Sequence, residues 1–428
     1  MRTKLASLLL ALVLLCTLGL NLAGCGKTPG GIATVGQGSV DLMAGIVPQT
    51  NAGASATVSE AAAATAANFA VRIFQQTYDG KNTLLSPLSI LSALAMTANG
   101  ANGETLSEML NAFGVSSIDE LNEFFAAYLA NLPNSENCKL SLANSIWFRD
   151  VPYLTVKGRF LQTNADYYRA AAYRSPFDNQ TLNDINRWVN DNTDGMIDKI
   201  LDQISPLSML YLINALAFDA KWASPYTESD QVQKNRSFQK EDGTGAQVTY
   251  LADDEYRYLV DGDQAVGFIK PYADPRFAFV ALRPSDGVTV EEYISTLTGE
   301  KIISLLRNAK ETKVETLLPK FESRYSIELS GALSAMGMPI AFTDAADFTG
   351  ITESIPLKIG EVRHKTFISV GEQGTRAAAV TIVEMKATAM SPEFQPPKVY
   401  LDRSFVYMLV DTETLFPLFI GALNDPTK

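Results

Sequence analysis

A single histidine, His364, occurs in 428 residues, and that scarcity removes whole classes of chemistry. A Ser-His-Asp or Cys-His hydrolase would have one possible base, and a two-histidine metal site has no second ligand. No Gly-x-x-x-x-Gly-Lys phosphate loop is present, and Gly36-Gln-Gly38 is followed by neither a third glycine nor a helical pattern. Paired carboxylates are the one enzymatic arrangement these absences leave open, so the chain reads as a non-enzyme without a cofactor. Positive charge is also short: 35 Lys and Arg against 47 Asp and Glu give a net charge of −12, which argues against nucleic acid as a partner. Cysteine is limited to Cys16, Cys25 and Cys138.

The N-terminus carries what the rest lacks, a long apolar run. Arg2 and Lys4 precede Leu5 to Leu20, and Leu22-Ala-Gly-Cys25 follows, a basic start with a short apolar core and small residues. That is the pattern of a signal peptide, and Asn21 leaves the run short for a stable membrane span. Leu22-Ala-Gly-Cys25 resembles the lipobox of bacterial lipoproteins. The resemblance implies cleavage after residue 24, lipid on Cys25, and a protein held at the extracellular face of a bacterial membrane. Cys16 then leaves with the signal and Cys25 carries lipid, so Cys138 has no disulfide partner and reads as a small buried hydrophobe. Residues 25–59, rich in Gly, Ala, Thr, Ser and Gln, read as a flexible tether with a root-mean-square span of roughly 30–35 Å.

From residue 60 to 428 we read one α+β domain. Phe69, Ile73 and Phe74 recur at helical spacing; Ser86-Pro87 predicts an N-cap and first turn for a helix over 88–98. Thr105 with Glu108 predicts a capping box and Gly114 a stop, and a third helix is predicted at 118–129. Leu140–Phe148 reads as a strand and Leu182–Asn192 as a helix. Met209–Phe218 is an apolar run broken by Asn214, as in a strand covered on both faces. Further strands are predicted at 267–270, 277–282, 314–318, 364–370, 406–410 and 418–423. Helices gather early and strands late, which favours α+β over a repeated βαβ plan.

One late stretch combines small residues with strand alternation. In Glu372-Gln-Gly-Thr-Arg-Ala-Ala-Ala-Val-Thr381, continuing to Met390, one parity set (Thr375, Ala377, Ala379, Thr381, Val383) has no charge, while Arg376, Glu384 and Lys386 share the other. Pro392, Pro396 and Pro397 then mark a loop.

This stretch resembles the hinge of a serpin's reactive loop, and the resemblance extends over about residues 61 to 426. It is carried by Asn82-Thr-Leu-Leu-Ser-Pro-Leu-Ser-Ile90, Asn99-Gly-Ala-Asn-Gly-Glu-Thr-Leu106, Ala143-Asn-Ser-Ile-Trp147, Ile185-Asn-Arg-Trp-Val189, Asn214-Ala-Leu-Ala-Phe-Asp-Ala-Lys-Trp222, Leu318-Pro-Lys-Phe321, His364-Lys365 and Phe416-Pro-Leu-Phe-Ile-Gly421. It implies three β-sheets, eight or nine helices and an exposed loop that baits proteases. By the same resemblance Glu372, Gly374, Thr375, Ala377, Ala378, Ala379 and Thr381 form the hinge. Ser86, Ser89, Asn214 and His364 form the polar shutter beneath the central sheet, and Trp222 marks the breach where insertion begins. Arg376 departs from the acidic residue usual in the family but lies on the outward parity.

The implied activity is suicide inhibition of serine proteases by a monomeric, membrane-tethered protein, through loop cleavage and insertion. Counting forward from Glu372 by the family's spacing puts the scissile bond at Thr388–Ala389. Counting back from Pro396, Pro397 and Phe405 reaches Glu393; the forward count is preferred because the sheet limits insertion. Ala387, Thr388 and Ala389 favour elastase- or subtilisin-like enzymes. Lys386 would suit trypsin-like ones and Met390-Ser391 chymotrypsin- or elastase-like ones. Inhibition of papain-like cysteine proteases and a non-inhibitory role are the alternatives. Bulky or charged inward hinge residues would mark the latter, and none occurs.

Overall fold

Polar caps and buried stripes set the helices in place. The computed structural model describes residues 38–49, 57–205, 207–375 and 395–428, all within one compact unit, 35–428. Nine α-helices occur among the described residues: α1 (Glu60–Thr77), α2 (Pro87–Ala98), α3 (Gly103–Phe113), α4 (Ile118–Ala130), α5 (Gly158–Tyr168), α6 (Asn179–Asn192), α7 (Val290–Ser295), α8 (Gly299–Arg307) and α9 (Ser330–Ala335). Ser86 caps α2, its hydroxyl accepting from the Ser89 N–H, and every residue of that helix is buried. A helix without an exposed face must sit between layers. Gly114 ends α3 in the left-handed conformation (φ 81°), as its position predicted. The capping box at Thr105 does not form. Asn102 is the N-cap, Thr105 lies inside the helix and accepts from the Asp347 N–H, and Glu108 accepts from the Ile340 N–H. Both side chains fasten a distant loop instead.

The strands fall into two hydrogen-bonded sheets. The first has the order β1-β4-β3-β5-β13-β12-β11, from β1 (Val40–Asp41), β3 (Cys138–Arg149), β4 (Ala171–Ser175), β5 (Leu210–Lys221), β11 (Phe321–Glu328), β12 (Arg363–Val370) and β13 (Gly374–Thr375). The second has nine strands: β2 (Thr83–Leu85), β6 (Val232–Gln239), β7 (Gly245–Asp261), β8 (Ala265–Pro271), β9 (Phe277–Pro284), β10 (Lys310–Pro319), β14 (Lys398–Tyr400), β15 (Phe405–Asp411) and β16 (Phe416–Leu423). Three sheets were predicted. Two of them join because β7 pairs with β10 over 250–258 along one edge and, along the other, first with β6 over 245–251 and then with β8 through its last four residues. At roughly 3.3 Å per residue its 17 residues reach across both. Every residue of β15 and β16 is buried, and these strands form the centre of the core with α1 and α2 against them.

Two rungs of the seven-stranded sheet define its ends. At the upper rung Cys138 pairs with Ala220, Ala220 with Thr375, Thr375 with Val370 and Val370 with Phe321. At the lower rung Leu210 pairs with Phe148, Phe148 with Arg174 and Arg174 with Val40. Ten residues of β5 separate them, about 33 Å.

Part of the predicted tether is structured. Val40 and Asp41 pair with β4, the Leu42 N–H donates to the Ala172 carbonyl, and Leu42, Met43 and Ile46 pack on the core. The reading of 25–59 as one flexible span therefore fails over 38–49, where the edge of β4 offers backbone partners and three apolar side chains find cover.

Candidate functional site

Gly374 and Thr375 enter the sheet as β13, and glycine is what lets them in. A Cβ on Gly374 would lie 2.1 Å from the Ala220 carbonyl oxygen, so no other residue fits between β5 and β12. Thr375 follows, 2 % exposed, its hydroxyl 2.6 Å from that of Tyr272. Tyr272 stacks on Trp222 with ring centroids 4.5 Å apart at 12°. The Trp222 indole N–H donates to the Gly371 carbonyl (2.9 Å), and its backbone N–H to that of Gln373 (2.9 Å). The Tyr226 N–H donates to the Glu372 carbonyl. Outside the sheet, the Lys320 ammonium lies 2.9 Å from both carboxylate oxygens of Glu372. Burial pushes the Glu372 carboxyl up, but this partner outweighs it and holds the group below the usual range. Residues 371–375 are thus fastened to the upper end of the sheet.

Beneath these rings lies a buried cation. Lys270, 1 % exposed, is 2.6 Å from Glu255 and 3.7 Å from Asp253, with its ammonium 4.4 Å from the centre of the Tyr226 ring. Desolvation would drive its proton off; Tyr226, Glu255 and Asp253 together outweigh that and keep it charged.

Midway down the sheet a polar cluster sits under β5 and β12. His364 is buried, and its Nε2 accepts the backbone N–H of Ser86 at 3.0 Å. Ser89 donates to Asn214, Asn214 to Asn144, and the Ser92 hydroxyl to Asn144 (3.0 Å). Thr366 donates to the Leu84 carbonyl (2.7 Å). Burial lowers the His364 pKa to about 3, consistent with a neutral ring whose Nε2 is an acceptor. A cavity of about 20 Å³ lined by Ser89, Asn214 and His364 lies beside it. The four residues predicted to gather here do so. Asn144, Ser92 and Thr366 were missed, although Asn144 stood inside a quoted motif. Tyr272, Lys320 and Lys270 were missed as well; Lys270 is a charge inside an apolar strand, and that was its signal.

Below the upper rung, Leu210 to Asp219 of β5 have no ladder partner on the β12 side among the described residues. Gly374 and Thr375 are thus the described residues that part β5 from β12, at the upper rung. Ala377, Ala378, Ala379, Thr381, Lys386, Thr388, Ala389, Met390, Ser391 and Cys25 lie outside the described residues.

The profile of the serpin family, described as serine protease inhibitor, matches residues 64–426. The chain is a serpin. An uncharacterized serpin-like protein of Thermococcus kodakarensis is 32% identical over 354 residues, 81% of this chain and 82% of its own. Thyroxine-binding globulin of Homo sapiens is 30% identical over 380 residues, 85% and 89% of the two chains. Among solved structures, the thermophilic serpin tengpin in its native state is 41% identical with a TM-score of 0.84, covering 91% of this chain and 100% of that one. Its latent state, at the same identity, has a TM-score of 0.76 and covers 86% and 99%.

Proposed function

We propose that this serpin is a lipid-anchored suicide inhibitor of extracellular serine proteases, elastase- or subtilisin-like enzymes foremost. The observation that carries the reading is that Gly374 and Thr375 are bonded between β5 and β12, while the next ten residues of β5 have no partner on that side among the described residues. Insertion of a strand into a sheet is the strand-addition mode for which serpins are themselves a standard example.

Continuing the register of Thr375 opposite Ala220 and Val370 gives the inserted state residue by residue. Ala377 comes opposite Phe218 and Ile368, Ala379 opposite Leu216 and Thr366, and Thr381 opposite Asn214 and His364. The uncharged parity thereby turns inward, and the Thr381 hydroxyl arrives at the polar cluster, beside the cavity of about 20 Å³. Met385 meets Leu210, where β5 begins. A strand that ends there leaves a short lead to Thr388–Ala389, which supports the forward count over Glu393. Ten new rungs at about 1 kcal/mol of net hydrogen bonding each, with side-chain burial, give on the order of 10 kcal/mol. That is enough to drive a trap that must outrun deacylation.

Thyroxine-binding globulin among the relatives keeps a binding role as the alternative; small inward hinge residues favour inhibition. The test is a panel of elastase-, subtilisin-, trypsin- and papain-like proteases, scored on denaturing gels with the mass of the released C-terminal peptide. Complexes that survive denaturant and a peptide starting at Ala389 support the proposal. Clean cleavage without complex by every enzyme refutes it.

A further inference from the structure

The chain enters the sheet at the end away from the hinge. Val40 lies on the lower rung, with Arg174, Phe148 and Leu210, ten residues of β5 below Thr375. Cys25 precedes Gly38, the first described residue, by 13 positions. The two rungs stand roughly 33 Å apart, and thirteen residues can bridge little more than that. Even fully extended they reach only about 45 Å. A lipid on Cys25 therefore holds the lower end nearer the bilayer than the upper.

The exposed apolar side chains fall in the same place. Among the described residues five large ones are exposed: Val40, Val47, Tyr153, Leu207 and Tyr256. Tyr153 (59 %) is in the turn just beyond Arg149, the last residue of β3, and Leu207 (88 %) is three residues before β5 begins. Val47 lies on the docked N-terminal segment, its carbonyl accepting from the Gln162 side chain midway along α5. Tyr256, on β7, is the exception. Leu207 is not on a loose arm: Arg149 donates to the Ser208 carbonyl at 2.7 Å and to that of Ser205 at 3.1 Å. Leu207, Met209, Leu210 and Leu357 line one part of a groove whose rim carries Asp344, Lys358 and Glu361. Single exposed apolar residues need no explanation; a group of them at the one end where the chain leaves for its anchor does.

We propose that this lower end rests on the membrane surface, with Leu207 and Tyr153 in the headgroup region, so that the reactive loop points away from the bilayer. The proposal builds on the lipid anchor at Cys25. Leucine and tyrosine are suited to that boundary, the one apolar throughout and the other with a polar tip. It also has a mechanical consequence. The inserted strand ends at Leu210, so a trapped protease arrives at the end that faces the membrane and must lift it.

The test uses the full-length lipidated chain in phosphatidylethanolamine–phosphatidylglycerol vesicles. Leu207→Cys, Tyr153→Cys and Tyr256→Cys are each labelled with an environment-sensitive fluorophore. Cys138 does not compete, because it is buried and burial pushes its thiol up to about 12. Nitroxide-bearing lipids should remove most emission from 207 and 153 and none from 256, and protease complex formation should restore it at 207. Protein that stays with the vesicles but shows no loss at 207, or equal loss at 256, overturns the orientation alone. A label at 207 shielded from aqueous iodide yet untouched by lipid nitroxide overturns it in favour of a protein occupant. Protein recovered free of the vesicles overturns the Cys25 anchor, and the orientation with it.

Discussion

Replacing His364 by glutamine should remove the dependence of stability on pH between 7.5 and 5. His364 is buried with its pKa lowered to about 3 from 6.5, while in the unfolded chain it titrates at the ordinary value. Between those two values the unfolded state binds one more proton than the folded one, so stability falls as pH falls through 6.5 and is flat above it. The slope is about 1.4 kcal/mol per unit once the unfolded histidine is fully charged, and about 2 kcal/mol is lost from pH 7.5 to 5. The carboxylates held low, such as Asp425 at about 2 beside Lys240, weaken the fold only when pH falls below the usual carboxylate range. With one histidine in the chain, no other side chain has its ordinary pKa inside this window, and carboxylates add only the start of their titration near pH 5. Glutamine can still accept the Ser86 N–H; losing that bond would cost about 1–3 kcal/mol at every pH without adding a slope. Denaturant unfolding of wild type and His364→Gln at pH 7.5, 6.5 and 5 reads the difference. Equal slopes in the two proteins would refute the assignment of a neutral, buried ring.

Hinge parity gives a sharper functional contrast. If the proposed insertion holds, Ala379→Glu should turn trapping into plain cleavage, since continuing the register would set residue 379 inward against buried Leu216, and a tenfold slowing of insertion needs only about 1.4 kcal/mol. Ala378→Glu, on the outward parity, should be much milder in the ratio of stable complex to cleaved protein. Elsewhere, Arg276 pairs with fully buried Asp411 at 2.8 Å and lies over Tyr128 at the end of α4. Arg276→Ala should destabilise by about 3–5 kcal/mol, read by thermal unfolding, because it leaves a buried carboxylate without its cation.

Much of the sheet was legible where pattern and partner lie in one stretch. β5 was visible as an apolar run, and the helix start at Ser86-Pro87 as a cap. What stayed hidden depends on partners far along the chain. Asp253, Asp254 and Glu255 break any apolar pattern in β7, yet Glu255 is 6 % exposed because Lys270 on the next strand neutralises it. β1 is two residues long and exists because β4, over a hundred residues later, has a free edge. Thr105 and Glu108 had the spacing of a local cap and serve a loop near 340–347 instead. At the site, Trp222 and His364 carried motif signals, whereas the bond from Tyr272 to Thr375 joins residues 103 positions apart.

The proposed inhibition requires that, once the chain is cut, the residues after Thr375 continue into the sheet as a strand beside β5. Nicking the chain between Lys386 and Ser391 and comparing thermal unfolding of cut and intact protein tests it most directly. Filling ten rungs, on the order of 10 kcal/mol, should raise the melting temperature by at least about 10 °C. A nicked form that melts at or below the intact one would contradict the account.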